Sequence, residues 1–284
     1  MRMSLFFLTF LTMTAFAANS VLNRMGVGSG LIDPVLFAVV RLVAGATILA
    51  VMIGLRQAGG GRALWPGWQG RVAGALSLLL YLFGFSLAYG ALDAGAGALI
   101  LFGMVQVTMF VGALVARERV PLRRWIGAGL AFLGLLYLLA PGSGANSSIM
   151  HSGLMAAAGI GWGLYSLSAR GSDDPLGATA WNFLLAVPVA LALMPVLPVG
   201  TTVTSFNGIV LAIISGAITS GLGYALWYRV LPLLGATRGA VAQLTVPVLA
   251  LLGGIVFLDE VLTLRFAISA LMVLGGVAIA ARKA

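Results

Sequence analysis

Ten runs of apolar residues divide this chain, at roughly 4–23, 34–55, 69–90, 94–116, 123–140, 151–169, 176–197, 207–228, 236–258 and 263–281. Charged, proline or glycine-rich breaks separate them. At 1.5 Å rise per residue, each run is long enough to cross a hydrocarbon core of about 30 Å. Inside lipid every backbone polar group has to find its partner within the chain, which leaves only helices and closed barrels. The runs lack the apolar–polar alternation of barrel strands, so the pattern predicts an all-α membrane protein with ten transmembrane helices. Composition agrees: 61% of the 284 residues are hydrophobic and 8% are charged, whereas soluble domains carry roughly 25% charged residues.

The net charge of +9 comes from fifteen Arg and one Lys, spread singly between the apolar runs. In a soluble protein that excess would point to nucleic acid. Here its placement matches membrane orientation signals, and no nucleic-acid partner is expected. With the N-terminus in the cytoplasm, thirteen basic residues fall inside. Only Arg24 and Arg265 fall outside, and Arg41 lies within a span. Both termini are therefore expected in the cytoplasm, and the chain reads as a multi-pass protein of a cytoplasmic (inner) membrane. The opening stretch "MRMSLFFLTFLTMTAFAANSVLNR" could be a signal peptide cleaved after Ala15-Phe16-Ala17. A retained first helix is preferred, because the apolar run continues into Val21 and Leu22.

A displacement of 142 residues lays "GALVARERVPLRRWIGAGLAFLG" on "GGIVFLDEVLTLRFAISALMVLG". Glu118 then meets Glu260, and Gly134 meets Gly276. Pro34 pairs with Pro175 at 141, and "AFAANSVLNR" with "GWGLYSLSAR" at 146. The near-constant displacement predicts two five-helix repeats, 1–142 and 143–284, forming one transport domain. An odd number of spans per repeat makes the second enter from the opposite side, as in many secondary transporters. The first segment also gains a counterpart at 151–169, where no signal peptide can lie.

With ten spans, inverted repeats and the "RE" and "DE" turns after the fourth and ninth, the chain resembles the drug/metabolite transporter superfamily, EamA type. "PVLFAVVRLVAGA" and "QLTVPVLALLGGIVFLDE" support the likeness. The first half departs from the pattern, since Val105 stands where the second half has Pro247. Within the superfamily the chain is similar to YddG-type exporters of aromatic and other apolar amino acids. The resemblance implies secondary transport by alternating access, with export of small neutral metabolites, aromatic and hydrophobic amino acids first. A drug or other metabolite exporter of the same fold is the alternative. A membrane enzyme or lipid-handling scaffold is a more distant one.

What is missing narrows the chemistry. There is no phosphate-cradling G-x-x-x-x-G-K-[ST] and no G-x-S-x-G elbow, so neither an intrinsic ATPase nor acyl transfer is expected. There is no cysteine, and His151 is the only histidine. No metal, no cofactor and no enzyme activity are expected. Every Asp and Glu sits at the end of a run, which argues against a cation–proton antiporter with a buried carboxylate and favours uniport. Glu118 and Glu260 each precede a helix and are read as caps for it. His151 reads as interfacial, and Trp65, Trp68 and Trp125 as belt residues. Pro188 and Pro247 fall inside runs and would free carbonyls, while Gly70/Gly74 and Gly235/Gly239 would let helices pack closely.

Candidate substrate-binding residues are therefore neutral and near mid-span: Asn19, Tyr81, Phe102, Gln106, Trp162, Tyr165, Tyr224 and Gln243. The amides have to bond another helix, water or a ligand. Tyr81 and Trp162 can stack on an apolar side chain while presenting a donor. Arg41 lies about 10 Å from the outer helix end. It could attract a substrate carboxylate, but an Arg that snorkels or bonds helix-end carbonyls is the preferred reading. The expected partners are a small molecule and membrane lipid. The oligomeric state is open, and a monomer is compatible with the sequence.

Overall fold

The computed structural model describes residues 2–60, 65, 67–117, 120–139, 149–168, 172, 174–197, 204–234, 239 and 242–281. Glu118, Gly235, Asp173, Arg62, Arg119, Arg170, Arg238, Arg282 and Lys283 lie outside the described residues. No strand occurs among those described.

The helices are α1 (Arg2–Asn23), α2 (Pro34–Ala58), α3 (Arg71–Ala88), α4 (Ala94–Val115) and α5 (Leu122–Leu139). After these come α6 (Ile149–Ser168), α7 (Pro175–Leu193), α8 (Phe206–Leu234), α9 (Thr245–Leu258) and α10 (Leu264–Ala281). Most bounds fall within a few residues of the apolar runs. The described part of the ninth run is an exception, because helix α9 begins only at Thr245. Two π-helical turns were not anticipated. Arg24–Gly28 extends α1, and Ser215–Leu222 joins Phe206–Ile214 to Gly223–Leu234, so that α8 is one long interrupted helix.

Local chemistry sets the starts. Asp33 Oδ1 accepts from the N–H groups of Val35 (2.8 Å) and Leu36 (3.2 Å), with Pro34 as the first helical residue. Asp174 and Pro175 repeat the arrangement at α7, with Gly177 N–H donating to Asp174 Oδ1 at 3.0 Å. A carboxylate satisfies free N–H groups there, and proline has no N–H to leave unpaired. Pro188 lies inside α7, and Pro232 inside α8. Pro247 lies in the first turn of α9 and costs no internal hydrogen bond, contrary to the expectation of a mid-helix break.

Among the described residues, six helical stretches are long and apolar enough to cross a membrane: Leu5–Gly28, Pro34–Ala58, Arg71–Ala88, Ala94–Val115, Pro175–Leu193 and Phe206–Leu234. Thr245–Leu258 and Leu264–Ala280 are shorter apolar helices. Large side chains such as Phe6, Leu55, Leu122 and Leu271 stand fully outward, as a lipid-facing surface requires. Inside, α3 and α4 pack on α6, α2 on α7 and α8, and α1 on α8 and α9. Helix α3 also packs on α7, α4 on α9 and α5 on α10.

Candidate functional site

The centre of the bundle is aromatic. Tyr81 of α3 and Trp162 of α6 have ring centroids 5.0 Å apart, and Trp162 lies 4.9 Å from Tyr224 of α8. Trp162 stacks on Tyr165 at 5.5 Å. Phe16 of α1 meets Trp162, Tyr224 and Trp227 edge-on, and Phe183 of α7 meets Tyr224. Edge-to-face and offset contacts are the favourable geometries for such rings. The close approach of α3 and α6 depends on Gly161, where a Cβ would come 2.8 Å from Ser77 O and from Tyr81 N.

Against this cluster lies a buried polar group. Ser215 Oγ donates to Asn19 Oδ1 at 2.6 Å, and Thr219 Oγ1 reaches the same oxygen at 3.1 Å. Asn19 Nδ2 lies 3.5 Å from the Tyr81 hydroxyl. Arg41 of α2 is 0% exposed. Its Nε donates to Ser220 Oγ at 3.0 Å and one terminal nitrogen to Tyr81 OH at 2.8 Å. The guanidinium also lies 5.1 Å from the centroid of the Tyr81 ring and 5.0 Å from that of Phe85. Its other terminal nitrogen, Nη1, is buried without a partner. Among the described residues no carboxylate lies within ion-pair distance of it. Arg41 thus neither snorkels nor bonds helix-end carbonyls, because it points into the bundle. The π turn makes this possible. It carries Ser215, Thr219 and Ser220 on the face toward α1 and α2, and π turns are frequent at functional sites.

The structure brings five of the eight sequence-chosen residues together: Asn19, Tyr81, Trp162, Tyr165 and Tyr224. Phe102 is buried in the same apolar core. Gln106 and Gln243 are half-buried and take no part in this hydrogen-bonded group. Phe16, Phe85, Phe183, Ser215, Thr219 and Ser220 belong to it and were not chosen. The polar stretch "SGAITSG" inside an apolar run was the available signal for the last three.

At the two ends of the bundle the charges are paired. Arg56 of α2 makes a two-pronged contact with Asp174 at the start of α7. That contact, with a backbone N–H from Gly177, holds the Asp174 carboxyl below its usual range. At the opposite end Arg24 lies 3.7 Å from Asp93 and 3.9 Å from Glu260, and donates to Tyr89 O at 3.2 Å. Glu260 was expected to cap α10. Instead its Oε1 accepts from Ala94 N–H at 2.7 Å, capping α4. The reason is local: Thr263 Oγ1 already accepts from Phe266 N–H at 3.1 Å and serves α10. A left-handed turn at Asp259 (φ 54°) folds Glu260 back over Gly254, where a Cβ would have no room. Burial pushes the Glu260 carboxyl above its usual range, opposed by the Ala94 N–H. His151 is half-buried near Gly90. Trp65, Trp68 and Trp125 are exposed.

Comparison with known proteins gives one consistent result. A family model of EamA-like transporters matches residues 151–282. An uncharacterized protein of Pseudomonas aeruginosa is 45% identical over 96% of this chain and 92% of its own. An uncharacterized transporter of Archaeoglobus fulgidus is 28% identical over 89% of this chain and 90% of its own. The uncharacterized transporter YoaV of Bacillus subtilis is 21% identical over 89% of both. One crystal structure of another protein superposes with a TM-score of 0.67 over 96% of both chains, at 20% identity, which is a likeness of fold alone.

Proposed function

The chain belongs to the EamA-like transporter family, and from that premise we propose that it exports small neutral metabolites, aromatic and other hydrophobic amino acids first. It is a multi-pass membrane transporter and not an enzyme. In this reading the membrane is the inner membrane, the likeness within the family is to YddG-type exporters, and the substrate meets Tyr81, Trp162 and Tyr224 at the centre.

The observation that carries the reading is the central cluster itself. Aromatic faces from α1, α3, α6, α7 and α8 converge beside a few hydroxyl and amide groups and the Arg41 guanidinium. Such a lining suits a side chain that stacks together with a small polar head. The absence of a carboxylate among the described residues of the cluster favours uniport over obligatory proton exchange.

Alternating access between two inverted five-helix halves is the mechanism we assign. Packing supports it. Exchanging each helix for the one five places on turns α3–α6 into α8–α1, α4–α6 into α9–α1, and α2–α8 into α7–α3. It leaves α2–α7, α4–α9 and α5–α10 unchanged. All of these are observed contacts. Arg117 and Asp259, 142 positions apart, are the described non-glycine residues at φ 54°. The thirteen-to-two distribution of basic residues supports cytoplasmic termini.

Counterflow of labelled amino acids in liposomes holding the purified chain tests the proposal, with and without an imposed pH gradient. Flux of phenylalanine and leucine that ignores the gradient is the expected result. Flux of cationic drugs or of other metabolites, with none of amino acids, would overturn the substrate. Lipid turnover without solute flux would overturn transport.

A further inference from the structure

We infer that Arg41 is the anchor for a carboxylate on the transported molecule. The inference rests on the transport reading and deepens it, since it names the chemical feature that the site selects.

A guanidinium offers five N–H donors in a rigid fork suited to a carboxylate. Arg41 commits its Nε to Ser220 and one terminal nitrogen to Tyr81, and Nη1 keeps its donors unpaired. A buried charge without a counter-charge is costly, and inside a membrane such residues face a partner, a cavity or a substrate path. Among the described residues the partners are hydroxyls and two ring faces, none of them anionic. Arg71, the other buried guanidinium, has a backbone carbonyl and an amide oxygen as acceptors, whereas Arg41 has hydroxyls alone. The seam that holds Arg41 is also built for close approach. Gly216 leaves no room for a Cβ between α8 and α2, where it packs on the Arg41 carbonyl, and Gly45 leaves none beside the Phe183 ring of α7. The seat for the carboxylate is Nη1, the donor without a partner. A carboxylate seated there would leave an aromatic substituent beside Tyr81 and Trp162, because the Tyr81 hydroxyl and ring contact Arg41 and Trp162 respectively.

The test uses matched pairs that differ by the carboxylate: phenylalanine against phenethylamine, and hydrocinnamate against hydrocinnamyl alcohol. Each competes with labelled phenylalanine in reconstituted liposomes. Loss of a charge-assisted fork predicts that the carboxylates compete roughly tenfold better or more. Arg41→Gln should collapse that preference, and Arg41→Lys should keep part of it. Equal competition within both pairs, or an unchanged preference in Arg41→Gln, would overturn the inference. If Arg41→Gln does not elute as a folded species, Arg41→Lys and the wild-type panel decide. If labelled phenylalanine does not move at all, amino-acid export fails, and the same panel is read as thermal stabilisation of the detergent-solubilised chain. Stabilisation by carboxylates alone would keep the Arg41 assignment. Equal stabilisation within pairs, or none by any carboxylate, would end it.

Discussion

Arg41 and Arg71 are both buried guanidiniums, and they lie in seams that the five-helix exchange would interconvert, α2 against α8 and α3 against α7. Arg71 is held by fixed acceptors: one terminal nitrogen donates to Ala178 O at 2.7 Å and to Asn182 Oδ1 at 3.1 Å, while its Nε is buried without a partner. A backbone carbonyl cannot turn away, so Arg71 pins the start of α3 to α7. Arg41 is held by two hydroxyls that can rotate, and it keeps one nitrogen free. The same residue type is thus bound to fixed carbonyl and amide oxygens in one seam and to mobile hydroxyls in the other. Burial and one unpaired nitrogen are common to both, so it is the kind of acceptor that separates them.

Replacing each by methionine would break this contrast most directly. Arg71→Met leaves the Asn182 amide and a carbonyl without their donor and should cost about 1–3 kcal/mol of stability, read as a lower Tm. Arg41→Met removes an unpaired charge for an apolar group and should leave Tm unchanged or higher. Its flux should fall roughly tenfold or more. A matching drop in Tm for both would make Arg41 a second pin. The next effect in size comes from Tyr81→Phe. It keeps the ring and removes the oxygen that Arg41 and Asn19 share. Stability should fall by about 1 kcal/mol and flux severalfold. Full flux would take Tyr81 out of the path. Trp162→Phe, which keeps an aromatic face, should reduce flux less than Trp162→Ala, and wild-type flux in Trp162→Ala would remove Trp162 from the cluster's function.

Smaller effects come from the bundle ends, where the signs are opposite. The Glu260 carboxyl is raised above 4.5 in the folded chain, so the folded state binds more protons there than the unfolded one. Stability attributable to it therefore declines as pH rises from 4.5 through the raised value. Glu260→Gln keeps an acceptor for Ala94 N–H and should flatten that slope in pH-dependent melting. The Asp174 carboxyl is held below 3.8, so its contribution is present above 3.8 and is lost as pH falls through the lowered value. Asp174→Asn should abolish that acid-side loss. An unchanged pH profile in either variant would remove that residue from the account.

Helix bounds were legible in the sequence because lipid permits few alternatives to an apolar run of sufficient length. Tyr81, Trp162 and Asn19 were legible as mid-span polar or aromatic residues. The π turn at Ser215–Leu222 was not, because "SGAITSGL" reads as part of one continuous run, and without it Ser215, Thr219 and Ser220 have no predictable face. Arg41 was visible, but snorkelling and inward burial share one sequence pattern. Only the packing of α2 against α8 separates them. Glu260 was recognised as a cap, yet its helix lies 166 positions away, beyond any local rule.

That distance has a consequence for biosynthesis. Helix α4 is made long before the carboxylate that completes its first turn. At ribosomal rates of about 5–20 residues per second, the interval is on the order of ten to thirty seconds. Through that time the N–H of Ala94 has to rely on water or lipid head groups. The first half can therefore insert early, but it is finished only when the last hairpin arrives to close it.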